Sequence, residues 1–348
     1  MNFWKNLKKP IMVLAPLADV TDPAFRRVIA KYGKPDVMWT EFVSADGLFL
    51  GGYDHLINDL TYTESERPIV AQFFTSRPEM MRKAAELAVD LGFDGIDINM
   101  GCPDKSIEKQ GAGAAHIKDY KQAQEIILAA KAGALAAFQR SDLKNQMSKG
   151  QTLGPIPVSV KTRIGYNKNE IETWIPALLE TNPAVITIHA RTRKEMSLVP
   201  AQWDNVKRAV EIRNELKSDT LIFGNGDVTD LDHARKRVEE TGCDGVMLGR
   251  AIFGNPFLFS SLHFENKNVP SEVGGQITPE QKLRVMVEHT KLFSELLPHK
   301  SFAIMKKHYK AYVTGWDKAR ELRMQLMEAQ NAEDVESIVN EYLKNGLE

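Results

Sequence analysis

The sequence has little cysteine, no long apolar run and almost no net charge, and each shortage removes a class of protein. Only Cys102 and Cys243 occur among 348 residues. No disulfide framework is available and neither cysteine has the paired spacing of a zinc site, so a reducing, cytoplasmic setting without a bound metal is expected. The run Ile11-Met12-Val13-Leu14-Ala15 is too short for a membrane span and no cleavage pattern follows it. A formal charge of −1 argues against indiscriminate polyanion binding and confines any nucleic-acid contact to a local patch. No Gly-rich dinucleotide fingerprint follows the first strand-like run, which counts against a doubly wound open sheet.

What remains, 43% hydrophobic and 26% charged residues, describes an ordinary globular chain of one large domain or two. Eight β-rich runs punctuate it, at 11–16, 37–42, 68–74, 95–100, 157–163, 185–191, 221–226 and 245–250. Most are apolar on both faces, as parallel strands covered by helices must be, and segments such as 78–91 and 120–132 between them carry the 3.6-residue apolar period. Strand-helix alternation repeated eight times predicts a TIM barrel. The polar stretch 136–155 reads as a surface extension. Beyond the polar linker at 264–270 the strand signal ends and helical periodicity continues. The expected organisation is therefore a barrel over 1–268 followed by a helical domain over 269–348.

A barrel builds its site at the C-terminal ends of its strands, and those ends are unusually polar or glycine-rich here. Strand one ends Ala15-Pro16-Leu17-Ala18-Asp19, strand three carries Gln72, and strand four ends Asn99-Met100-Gly101-Cys102-Pro103. Strand five has Lys161 and Arg163, strand six His189 and Arg191, strand seven Gly224-Asn225-Gly226-Asp227, and strand eight Gly249-Arg250. A lone cysteine is more often a buried small hydrophobe than a reactive group, and a lone Gly-Asn-Gly-Asp is more often a tight turn. Agreement among so many strand ends favours a site. Gly226 and Gly249 expose backbone N–H groups to a phosphate and Arg250 adds a charged donor. Lys161 needs an anionic partner or an electron-rich ring, and Gln72 suits an amide-like ring edge. Together they describe a phosphorylated heteroaromatic cofactor, and FMN fits.

These residues resemble the flavin-dependent tRNA-dihydrouridine synthases of bacteria over nearly the whole chain. The resemblance rests on Ala15-Pro16-Leu17-Ala18 with Thr21-Asp22, Asp97-Ile98-Asn99-Met100-Gly101-Cys102-Pro103, Lys161-Thr162-Arg163, His189-Ala190-Arg191-Thr192, Gly224-Asn225-Gly226-Asp227 and Gly249-Arg250. Further along, Met305 to Tyr312 and Ala319 to Arg323 are similar to the family's helical RNA-binding domain. The resemblance implies FMN contacts from Pro16, Leu17, Ala18, Gln72, Lys161, Asn225, Gly226, Asp227, Gly249 and Arg250, with His189 near the flavin or the uracil. It implies Cys102 as the proton donor in reduction of a uridine C5–C6 bond, driven by NADPH or NADH. That role requires a protonated thiol. Leu17 stands where the family commonly has Met, Ala190 where Gly is frequent, and His116 where an aliphatic residue is usual; a packing role is expected for His116.

Asn99 is expected to orient the uracil, and Arg163 and Arg191 to contact substrate. Between Lys300 and Arg323, seven basic residues, Lys306 and Lys307 among them, face two acidic ones, with Tyr309, Tyr312 and Trp316 interleaved. This pattern suits phosphates and unstacked bases; by itself it equally describes a solvated helix face. A monomer is expected. Two other readings use part of the same pattern. A dihydroorotate-dehydrogenase-like FMN barrel acting on a free small molecule leaves the basic helices unexplained. A non-catalytic RNA-binding module leaves Cys102, Lys161 and His189 unexplained.

Overall fold

In the computed structural model, which describes residues 2–140, 154–262 and 277–344, the apolar runs form eight parallel strands. They are β1 (Ile11–Leu14), β2 (Met38–Ser44), β3 (Ile69–Phe74), β4 (Gly95–Met100), β5 (Val158–Arg163), β6 (Val185–His189), β7 (Leu221–Asn225) and β8 (Gly245–Leu248). Each strand from β2 to β8 pairs with the next in sequence, β8 pairs with β1, and a parallel bridge between Val13 and Val37 joins β1 to the start of β2. The sheet thus closes on itself as the expected TIM barrel. Several strands stop short of the expected ends: Pro16, Arg191, Gly226 and Arg250 already lie in the loops that follow.

Helices α1 (Pro23–Tyr32), α2 (Pro78–Asp90), α3 (Lys105–Lys109), α4 (Tyr120–Arg140), α5 (Ile171–Leu179), α6 (Asp204–Glu215) and α7 (Leu231–Thr241) come between strands. The expected extension at 136–155 begins as the last turn of α4, and 141–153 lie outside the described residues. Ahead of β1, a 3₁₀ turn at Phe3–Asn6 carries Trp4 against Trp39 and Phe223, ring centroids 5.7 and 5.6 Å away. With Ile11, Val37, Val70 and Val185 these rings fill the barrel at its strand starts. Apolar filling there leaves the polar side chains of the interior to the opposite end, where the strands finish.

The chain divides into two compact units. The first contains 1–17, 36–60 and 67–249; the second contains 18–35, 61–66 and everything from 250 onward. The boundary expected between Asn268 and Val269 falls within 263–276, outside the described residues. The second unit therefore combines α8 (Pro279–Leu296), α9 (Met305–Tyr312), α10 (Ala319–Glu328) and α11 (Ala332–Lys344) with two earlier pieces of chain. Its reason is contact chemistry. Lys31 and Tyr32 at the end of α1 donate to the Glu288 carboxylate on α8, and Phe25 stacks on His289 at 4.6 Å. Arg26 is wholly buried, bound to Glu66 at 2.8 Å and to the carbonyls of Thr21 and Thr61. Among the described residues no helix is long and apolar enough to cross a membrane.

Candidate active site

The loop leaving β4 is shaped by the side chain of its own last turn. Asn99 Oδ1 accepts from the backbone N–H of Gly101 at 3.1 Å and of Cys102 at 2.9 Å, a local side-chain-to-backbone closure of the type Asn favours. Asp104 then caps α3 by accepting from Ser106 N. Ala114 N donates to the Cys102 carbonyl, and Gly113 passes beside it at φ +62°, where a Cβ would stand 2.8 Å from that oxygen. Only glycine satisfies both the conformation and the space. Cys102 is half-buried against Phe42, Phe74, Ile107 and Ala112. Burial pushes its thiol up, outweighing the pull of Lys161 and Arg163, so the sulfur is protonated at neutral pH.

Asn99 is also the end of a polar chain running inside the barrel. Its Nδ2 donates to Gln72 Oε1 at 3.3 Å, Gln72 Nε2 donates to Asp97 Oδ2 at 2.5 Å, and Ser159 Oγ donates to Asp97 Oδ1 at 2.5 Å. Register explains the meeting: Gln72 is level with Asp97, and Asp97 with Ser159, on neighbouring strands, while Asp97 and Asn99 share one face of β4 two residues apart. Asp97 is fully buried, which raises its carboxyl to about 6 against the bonds from Ser159 and Gln72 and the charge of Lys161. Lys161, level with Asn99 on β5, is lowered to about 8, chiefly by burial and then by Arg163. No hydrogen bond or ion pair holds its ammonium among the described residues.

The two arginines expected at substrate also brace the loops. Arg163 Nε donates to the Gly101 carbonyl at 2.7 Å, and its Nη1 reaches the carbonyls of Thr192 and Met196 and the Nδ1 of His189 at 3.3 Å. A guanidinium only donates, so His189 Nδ1 is the acceptor there. Arg191 is buried; it binds the Val199 carbonyl through Nε and the Asp227 carboxylate through Nη2, both at 2.5 Å, while Nη1 has no partner. Asp227 also accepts from Ala201 N. Arg193 forms a bidentate pair with Glu108 on α3, tying the loop after β6 to the helix after Cys102.

Asn225 donates to the Met247 carbonyl at 2.7 Å, and Gly226 follows at φ +131° with room for a Cβ only by crowding Ala201. Gly249 lies beside Ala15, and Pro16 and Leu17 complete the same unit's end of β1. Ala18 and Arg250, both exposed, fall in the second unit, as do Lys306 and Lys307. In that unit Tyr309 and Tyr312 are wholly buried, which corrects their expected role as stacking surfaces for bases: with Met305 they form the apolar stripe of α9. Lys307 and Lys310 are exposed. His116 is buried, with Nε2 donating to the Thr75 carbonyl at 3.0 Å and its pKa lowered to about 4 by burial, a neutral packing group. Sequence reading missed Asp97 and Ser159 as members of the site; the signal was strand alternation, which puts Asp97 on the face of Asn99.

The family model for dihydrouridine synthase (Dus) matches residues 13–346. A "Probable tRNA-dihydrouridine synthase 2" of Bacillus subtilis is 36% identical over all of this chain and 98% of its own length. A "Probable tRNA-dihydrouridine synthase" of Staphylococcus aureus is 35% identical over 98% of this chain and 95% of its own. Among solved structures, histamine dehydrogenase from Rhizobium sp. 4-9 is similar with a TM-score of 0.50 at 12% identity; the match covers 81% of this chain and 48% of that protein, and supports the fold alone. A family match spanning both units, together with relatives 35% and 36% identical over nearly the whole chain, places the chain in the dihydrouridine synthase family, oxidoreductases acting on tRNA uridines.

Proposed function

We propose that this protein uses FMN and NADPH, or NADH in its place, to reduce the C5–C6 double bond of a uridine in tRNA, with Cys102 delivering the proton to C5. The observation that carries the reading is the half-buried thiol that the Asn99 turn holds at the end of β4. The residues present fit a flavin mononucleotide. A Cβ on Gly226 would come within 3.8 Å of both His189 Nε2 and the buried Arg191 Nη1, which lacks a partner, so bare backbone and an unused donor meet where an anion would sit, and Lys161 offers a second cation at the strand ends. Pro16, Leu17, Gln72, Asn225, Asp227 and Gly249, all of the first unit, are the further contacts.

When bound, the reduced flavin supplies the hydride for C6. The chain's own residues do the rest. Asn99 and the braces from Arg163 fix the backbone that carries Cys102, and the thiol keeps its proton until C5 is presented to it. A base within folded RNA reaches such a recess only by leaving its stack, and Lys306 and Lys307 supply phosphate contacts that hold the RNA while it does. The test is to purify the protein, record its flavin absorbance, and incubate it with NADPH and tRNA from cells lacking it. Nucleoside mass spectrometry is expected to show uridine gaining two hydrogens. Bound flavin without any product would favour a small-molecule oxidoreductase, and no flavin at all a binding module.

A further inference from the structure

Every group between Ser159 and the Cys102 backbone except one has an orientation that depends on a neighbour. The carboxamides of Gln72 and Asn99 each have a donor end and an acceptor end, so each takes its orientation from its partners. The ionised carboxylate of Asp97 only accepts. It therefore requires Gln72 to present Nε2 to it and Oε1 to Asn99, the same polarity that the N–H groups of Gly101 and Cys102 impose on Asn99 from the other end. We propose that Asp97 is a positioning residue: it locks the far end of this four-member chain, and through it the placement of both the Gln72 amide and the Cys102 loop.

The proposal deepens the functional reading above and rests on it for the identity of Cys102 as the proton donor. Asp97 touches neither the thiol nor the recess; it acts through two amides. Its energetic character separates it from an ordinary core residue. Burial raises its carboxyl to about 6, so the folded protein holds that proton more tightly than the unfolded chain does. The group's contribution to stability is largest at low pH and is lost as pH rises through about 6. At pH 7.5 the buried charge, opposed only in part by Lys161, is a cost to the fold that is retained for what it orients.

The discriminating variant is Asp97→Asn. It keeps the shape but adds a donor, so the chain gains a second polarity in which Gln72 and Asn99 turn over and Asn99 Nδ2 confronts the two backbone N–H groups. Three readouts at pH 7.5 decide the matter. Alkylation of Cys102 by iodoacetamide, followed by peptide mass spectrometry on protein without tRNA, is expected to accelerate roughly threefold or more as the loop loosens. The thermal midpoint is expected to stay at or above the parent's. Dihydrouridine formation is expected to fall about tenfold in kcat. Ser159→Ala removes one partner of the carboxylate but leaves it an acceptor only, so the two amides keep their polarity, and it is expected to change alkylation and kcat several-fold less than Asp97→Asn.

Alkylation and kcat within twofold of the parent in Asp97→Asn would overturn the proposal. So would a lowered midpoint with proportionate losses, or equal losses in Ser159→Ala, since those describe simple packing. If the parent itself makes no dihydrouridine, the functional reading falls, while the alkylation comparison still decides whether Asp97 orients the loop.

Discussion

Two buried polar clusters, one in each unit, are built in opposite ways. At the strand ends of the first, Ser159, Asp97, Gln72 and Asn99 are joined donor to acceptor, and a carboxylate raised to about 6 stands near an ammonium lowered to about 8. In the second, His289 is wholly buried with neither ring nitrogen bonded, stacked on Phe25 and edge-on to His308 at 4.7 Å, and the Tyr312 hydroxyl is unpartnered as well. Burial drives His289 far below its usual pKa and His308 down to about 3. These rings are neutral and serve as aromatic filler. Connected polarity holds an arrangement ready for chemistry, whereas unconnected polarity only occupies volume.

The largest effect that sharpens this contrast comes from the thiol. Cys102→Ala is expected to retain flavin and the fold while lowering dihydrouridine formation by about a hundredfold or more, as read by nucleoside mass spectrometry. Next is the Arg26–Glu66 ion pair of the second unit, whose partners are both fully shielded. Arg26→Met leaves Glu66 charged and buried and is expected to destabilise that unit by about 3–5 kcal/mol, seen as a lower denaturation midpoint; an unchanged midpoint would show that the pair is dispensable.

Acid should separate the two clusters by sign. His289 and His308 bind protons more readily unfolded than folded, so their contribution is complete above the usual imidazole range and is lost as pH falls below about 6.5. Asp97 contributes in the opposite direction. His289→Phe is therefore expected to reduce the loss of midpoint between pH 7 and pH 5, and Asp97→Asn to steepen it. The smallest effect is electrostatic: replacing Lys306 and Lys307 by Ala is expected to weaken tRNA binding and to flatten its salt dependence by about one to two phosphate contacts, measured by titration across ionic strengths.

Much of the barrel was legible because parallel strands buried on both faces declare themselves as apolar runs, and the observed strands begin within a residue of the expected positions. The strand-end residues were legible because a barrel interior has no other use for Gln, Asn, Lys and His together. What each side chain binds was not. Arg163 and Arg191 read as substrate contacts, yet their guanidiniums serve backbone carbonyls and Asp227, and sequence offers no sign of which carbonyls lie within reach. Tyr309 and Tyr312 read as a base-stacking surface; their spacing from Met305, at i, i+4 and i+7, was already the signature of a buried stripe. The assignment of α1 to the second unit was hidden, since an amphipathic helix shows that it has a partner without naming it.

That assignment governs how the protein is made. Lys31 and Glu288, 257 residues apart in sequence, must both have left the ribosome before the second unit can assemble. At the rates at which ribosomes add residues that is an interval on the order of tens of seconds. Throughout it the apolar face of α1, with Phe25, Val28 and Ile29, has no partner from α8. A fragment comprising only α8 to α11 therefore lacks α1 and the 61–66 segment that complete its core.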